Sequence, residues 1–184
     1  SDFMPLNRAA LRASNPRSIR VPSAPPAPFD GDAIKNGFAW GGLFGLALSM
    51  AVGGVSGDGI SDPATSIRFE IAFALAKRFS MEIVPAEADA DLQLDIRTTD
   101  WGIVSTRLDH YAAKYSGTLR LTDRRTKQVV AQSACGDGNP IDESDNPTLD
   151  ELERGGSARL KNMLRAAARF CQEDFRKRAL GLYQ

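Results

Sequence analysis

Residues 92–97 alternate: Leu92, Leu94 and Ile96 interleave with Gln93, Asp95 and Arg97, the period-two mark of a strand with one buried face. Residues 115–122 (YSGTLRLT) and 128–134 (QVVAQSA) repeat the pattern, and the polar link 123–127 between them reads as a hairpin turn. Residues 81–84 form a short strand closed by Pro85, and residues 17–21 (RSIRV) could be a first strand. Two other stretches carry the helical period instead. Ser61-Asp62-Pro63 starts a helix, a capping side chain followed by a proline that the first turn tolerates. Ile67, Ile71, Ala74, Leu75 and Phe79 then recur at helical spacing, while Arg68, Glu70, Lys77 and Arg78 take other faces.

The closing helix opens at Thr148 and Glu151, a capping box in which the two side chains satisfy each other's free amides. Leu149, Leu152, Leu160, Met163, Leu164, Ala167, Phe170 and Cys171 lie on one broad stripe. Gly155 and Gly156 weaken its second turn by about 1 kcal/mol each. The order strand, apolar segment, helix, two strands, hairpin, helix predicts an α+β fold. It would be a mainly antiparallel sheet of four to five strands with two or three helices packed on one face. Three parts follow: residues 1–30 as a proline-rich leader or tether with a possible first strand at 17–21, residues 31–60 as a glycine-rich apolar segment, and residues 61–184 as the α+β domain.

That middle segment breaks the pattern. Between Lys35 and Asp58 run 22 residues without a charge, NGFAWGGLFGLALSMAVGGVSG. The length suffices for a bilayer core of about 30 Å, and Gly41 and Gly45 form a small-residue packing motif. Seven glycines fall within it, and Gly53-Gly54 break its far end, which weakens a spanning helix. Two readings avoid that difficulty: a helix packed on the domain's own sheet, or an interfacial segment meeting lipid or a partner through Phe38, Trp40, Leu43 and Phe44. The second is where membrane or partner contact is expected. Six of the ten prolines precede the run, at Pro5, Pro16, Pro22, Pro25, Pro26 and Pro28, and composition of that kind makes an extended tether.

Charge narrows the possible partners. Lys+Arg and Asp+Glu are both 23 in 184 residues, so no surplus exists to neutralise phosphates, and nucleic-acid binding is not expected. Cys135 ends an apolar strand and Cys171 lies on the apolar face of the last helix, where a strand end and a packed helix can meet. A bridge between them would close a 36-residue loop and stabilise by roughly 4 kcal/mol in the chain-entropy model. It would also imply an oxidising compartment. Two buried thiols acting as small hydrophobes is the other reading; redox or metal chemistry is disfavoured by the lack of a CxxC pair and by the single histidine.

Nothing else forms a chemical constellation. Asp137, Asn139, Asp142, Glu143 and Asp145 offer oxygen ligands, but Pro140 and Ile141 break the spacing that a calcium loop needs. His110 beside Asp109 has no nucleophile at readable spacing and reads as a surface residue. Asp95 and Asp100, five apart along a strand, face opposite sides unless a bulge intervenes. Trp101 reads as a packed aromatic at a strand end. No catalytic residue, cofactor or metal is expected.

The quoted motifs carry a resemblance. NPRSIRV, the Gly/Ala-rich run, LQLDIRTTDWG, YSGTLRLTDRRT, VVAQSAC, PTLDEL and CQEDFRKRAL resemble a group of uncharacterised envelope lipoproteins of Gram-negative bacteria, from about Pro16 onward. More distantly, the order of elements is similar to that of the auxiliary lipoproteins of envelope ABC transporters. The resemblance implies a periplasmic domain held at a membrane, the outer membrane being expected, by a lipid anchor lost from or preceding this sequence. It also disfavours a span, since one crossing would carry both cysteines into a reducing compartment and part residues 17–21 from the sheet. The function expected is a non-enzymatic accessory or structural subunit of a membrane-associated assembly, with a protein partner. The alternative is a periplasmic carrier or sensor that binds a small apolar ligand between sheet and helices.

Overall fold

The computed structural model describes residues 3–30, 61–107, 109–136 and 145–183. In chain order these hold α1 (Arg8–Ser14), β1 (Ser18–Arg20), α2 (Ala64–Phe79), β2 (Glu82–Val84), β3 (Leu92–Arg107), β4 (His110–Asp123), β5 (Gln128–Cys135) and α3 (Leu149–Asp174), which runs on into a π-helical turn, Phe175–Ala179. The strands form one sheet in the order β2-β1-β3-β4-β5. The fold is α+β, as the alternation predicts, but the sheet is mixed rather than mainly antiparallel. β3, β4 and β5 are antiparallel neighbours, whereas β1 is parallel to both β2 and β3. The reason is the connection: the chain passes from β1 to β2 through α2, and a strand reached by a helical crossover re-enters parallel.

The proline-rich opening belongs to this body. Leu11, Ile19, Val21 and Phe29 sit in the same core as the sheet and helices. Asn7 caps α1, its side-chain oxygen accepting from the Ala10 amide at 3.0 Å. Just before it, Met4 and Gln132 exchange backbone hydrogen bonds of 2.8 Å, and the Asn7 amide donates to the Val130 carbonyl. The β5 edge is therefore covered by residues 4–7.

Ile67, Ile71 and Leu75 of α2 and Leu160, Leu164 and Cys171 of α3 close over Leu92, Leu94, Ile96, Leu119 and Leu121 of the sheet. Thr148 caps α3 with the full capping box. Two assignments read from the helical stripes need correction. Phe170 is not core but 71% exposed; the buried line runs Leu160, Leu164, Ala168, Cys171, Phe175, and Phe170 stands about 100° off it. Arg68 is buried rather than on an outer face, its Nε donating to the Ile96 carbonyl at 2.8 Å. That bond supplies the partner which a buried guanidinium requires.

Candidate functional site

The two cysteines meet as a disulfide, with 5.4 Å between their Cα atoms. β5 ends at Cys135 under the face of α3 that presents Cys171, and both are buried. The bridge pins the helix to the sheet beside the Tyr115 carbonyl. The expected contact residues Phe38, Trp40, Leu43 and Phe44, and most of the acidic loop, fall outside the described residues. Among the described residues no helix is long and apolar enough to cross a membrane, and no group of three or more His, Cys, Asp or Glu could hold a metal.

Below the start of α2 lies a polar cluster. Asp62 accepts from the Ala27 and Ala64 amides at 2.9 Å each and from the Thr98 hydroxyl. Thr98 Oγ1 is also 3.1 Å from the Tyr115 hydroxyl. Burial, reinforced by the Asp62 charge, pushes the Tyr115 phenol up to about 12. Every oxygen of this cluster has a partner, and its evident work is to fix the entry of α2 against β3 and residue 27.

The carboxylates at 95 and 100 are not a pair. A register shift between Thr98 and Asp100 upsets the simple parity argument, yet each acid has its own partner: Asp95 accepts from the Gln93 amide, Asp100 from Lys114. Lys114 also binds Asp30, at 2.6 Å. Burial alone would lower its pKa, but the hydrogen bonds to Asp100 and Asp30 outweigh that and hold the ammonium above its ordinary range. Trp101 packs as an aromatic anchor, its ring edge-on to Phe29 at 5.1 Å and its Nε1 donating to the Ala27 carbonyl. His110 starts β4 and forms a backbone bridge with Thr148.

The outer surface of the helices holds what the hydrophobic pattern did not reveal. Phe69 and Phe73 are 58% and 66% exposed. Each stands two residues beyond a buried isoleucine, about 200° round the helix, so both point straight away from the core. With Ile83, Ala74 and Leu182 they line an open groove of about 1070 Å3, rimmed by Lys77, Arg78 and Arg176. A second hollow of about 370 Å3, between α2 and α3, is lined by Ser66, Glu70, Lys161, Arg165 and Arg169. The sequence did contain a sign: two phenylalanines at i and i+4, off the stripe that the isoleucines define.

The described residues thus define a disulfide-pinned α+β domain with an apolar, basic-rimmed groove on its helical side. No protein-family model matches the chain, and no curated protein matches it in sequence. Two solved structures are similar to it. One is a DUF330 protein, XCC0632 from Xanthomonas campestris, at 12% identity and a TM-score of 0.36, with 63% of this chain and 60% of that chain covered. The other is lipoprotein GNA1162 from Neisseria meningitidis, at 18% identity and a TM-score of 0.29, with 80% of this chain and 97% of that chain covered.

Proposed function

We propose that this chain is a non-enzymatic envelope lipoprotein domain that serves as an accessory or structural subunit of a membrane-associated assembly, docking a protein neighbour along the β2 edge. The observation that carries the reading is the contrast between the sheet's two edges. Residues 4–7 cover β5, whereas no strand among the described residues pairs with the outer side of β2. The Glu82 amide donates to the Arg17 carbonyl, so alternation turns the Ile83 amide and carbonyl outward. Ile83 itself is 38% exposed there. A bare edge with an apolar side chain beside it is a template for another strand. The buried disulfide supports an oxidising compartment, and the motifs quoted above support the envelope.

In detergent extracts of the native host, the chain should co-fractionate with membranes and migrate in a complex larger than its 19.9 kDa. Ile83→Lys should release it as a monomer. A wild-type chain that is soluble and monomeric on extraction overturns the reading. The groove of about 1070 Å3 gives a second reading some weight, a carrier for a small apolar ligand; a carrier would run as a monomer and copurify with lipid-like molecules that mass spectrometry can identify.

A further inference from the structure

The helical side of the domain is built differently from its sheet side, and the difference points to what lies against it. The open sheet face carries Gln93, Asp95, Arg97, Thr118 and Arg120, a wet mixture of both signs. The helical face instead presents Phe69 and Phe73, with Lys77, Arg78, Lys161, Arg165 and Arg169 around and beside them. None of these five cations forms an ion pair among the described residues. Of the acids nearby, Glu173 is paired with Arg176 and with Lys177 at 3.1 Å, and Glu70, which accepts from the neutral Gln172 amide, keeps one negative charge among the cations. Protruding aromatic rings among cations that outnumber the carboxylates beside them leave an apolar surface in water and a local excess of positive charge. Both are relieved at once where acyl chains lie beneath anionic headgroups.

We propose that the α2–α3 face seats on the surface of an anionic lipid bilayer, with Phe69 and Phe73 entering the headgroup–acyl boundary while Lys77, Arg78, Arg165 and Arg169 meet lipid phosphates. This takes its membrane setting from the proposed function. The two sites adjoin, since Ile83 lines the same groove as Phe69 and Phe73, but they use different groups, rings and cations here and the outward backbone of Ile83 there. The domain would then lie helices-down on the membrane, with the polar sheet face away from it and the β2 edge free at the side to meet a neighbour.

The test is vesicle sedimentation with the full chain. Vesicles of phosphatidylglycerol and phosphatidylethanolamine in equal parts should bind it at least tenfold more tightly than phosphatidylcholine vesicles, and added salt should weaken that binding. The double variant Phe69→Ser, Phe73→Ser should lose tenfold or more. Arg165→Gln with Arg169→Gln should lose binding and flatten the salt dependence. Arg120→Gln, on the sheet face, should bind as the wild type does, and circular dichroism should show each variant folded. Failure of the wild type to sediment, equal binding to both vesicles, or undiminished binding by the double phenylalanine variant overturns the proposal. So does a wild-type dimer in solution that the phenylalanine variant splits, because a second copy would then cover this face. Vesicle binding does not depend on cellular location, so a chain that binds vesicles but fractionates away from membranes would sink the proposed function alone.

Discussion

α2 and α3 lie side by side on one sheet, yet they meet water in opposite ways. α3 is cleanly two-faced: Leu160, Leu164, Cys171 and Phe175 face the core, and its outer side is mostly charged, with Phe170 the exception. α2 is apolar on both sides, Ile67, Ile71 and Leu75 inward and Phe69 and Phe73 outward. Their attachments differ too. α3 is fixed by a covalent bridge and close-packed leucines. α2 adds polar fastenings, Asp62 to Thr98 at its entry and Arg68 to the Ile96 carbonyl. Folding alone accounts for most of the outer side of α3, though not for Phe170. It does not account for the outer face of α2, and a feature unexplained by folding is where function should be sought.

That contrast can be tested in four places. Replacing the bridge by Cys135→Ser with Cys171→Ser should cost about 4 kcal/mol in the chain-entropy model, read as a lowered midpoint in denaturant; an unchanged midpoint would mean that α3 does not depend on its pin. Leu164→Ala should cost about 2–5 kcal/mol, with Lys161→Ala as the near-neutral control one turn away. On the α2 side, alkali should act through Tyr115. Its phenol holds its proton to about 12 when folded, against about 10 when unfolded. The folded state therefore binds the proton more tightly, and the associated stability is fully present below about pH 10 and is lost as pH rises toward 12. That is on the order of 2–3 kcal/mol, and Tyr115→Phe should flatten the decline in melting temperature over that range. Smallest of all, Phe73→Ser should change stability by less than about 0.5 kcal/mol, since the ring is mostly in water already. A large loss there would show that the outer face of α2 serves folding after all.

How far the sequence revealed this fold depends on the range of the interactions. β5 and the alternating parts of β3 and β4, residues 92–97 and 115–122, were legible because alternation is local and one hairpin joins β4 to β5. The continuation of β3 to Arg107 and the start of β4 at His110 were not, because the irregularity after Thr98 breaks the period and puts Trp101 inside a strand rather than at its end. The capping box of α3 was legible because Thr148 and Glu151 are three residues apart. The disulfide could be read from its setting, a strand end and a helix face. By contrast, the place of β1 between β2 and β3 is fixed by a crossover, which leaves no trace in the three residues of the strand. α1 has a single buried residue, Leu11, too little for a helical period. Arg68 looked like a surface residue because its partner is a backbone carbonyl 28 positions away. Of the candidate site, the bridge was foreseen, while Phe69 and Phe73 were hidden by a stripe that already explained the helix.

The Ala27 amide reaches Asp62 at 2.9 Å, so the chain just before the uncharged stretch and the chain just after it are clasped together by the body itself. Once two ends are joined, the length between them matters little; each doubling of a loop costs only about 0.6 kcal/mol. That clasp sets the spacing of the two ends, so inserting or removing residues between them should be felt by the body only through this small closure cost.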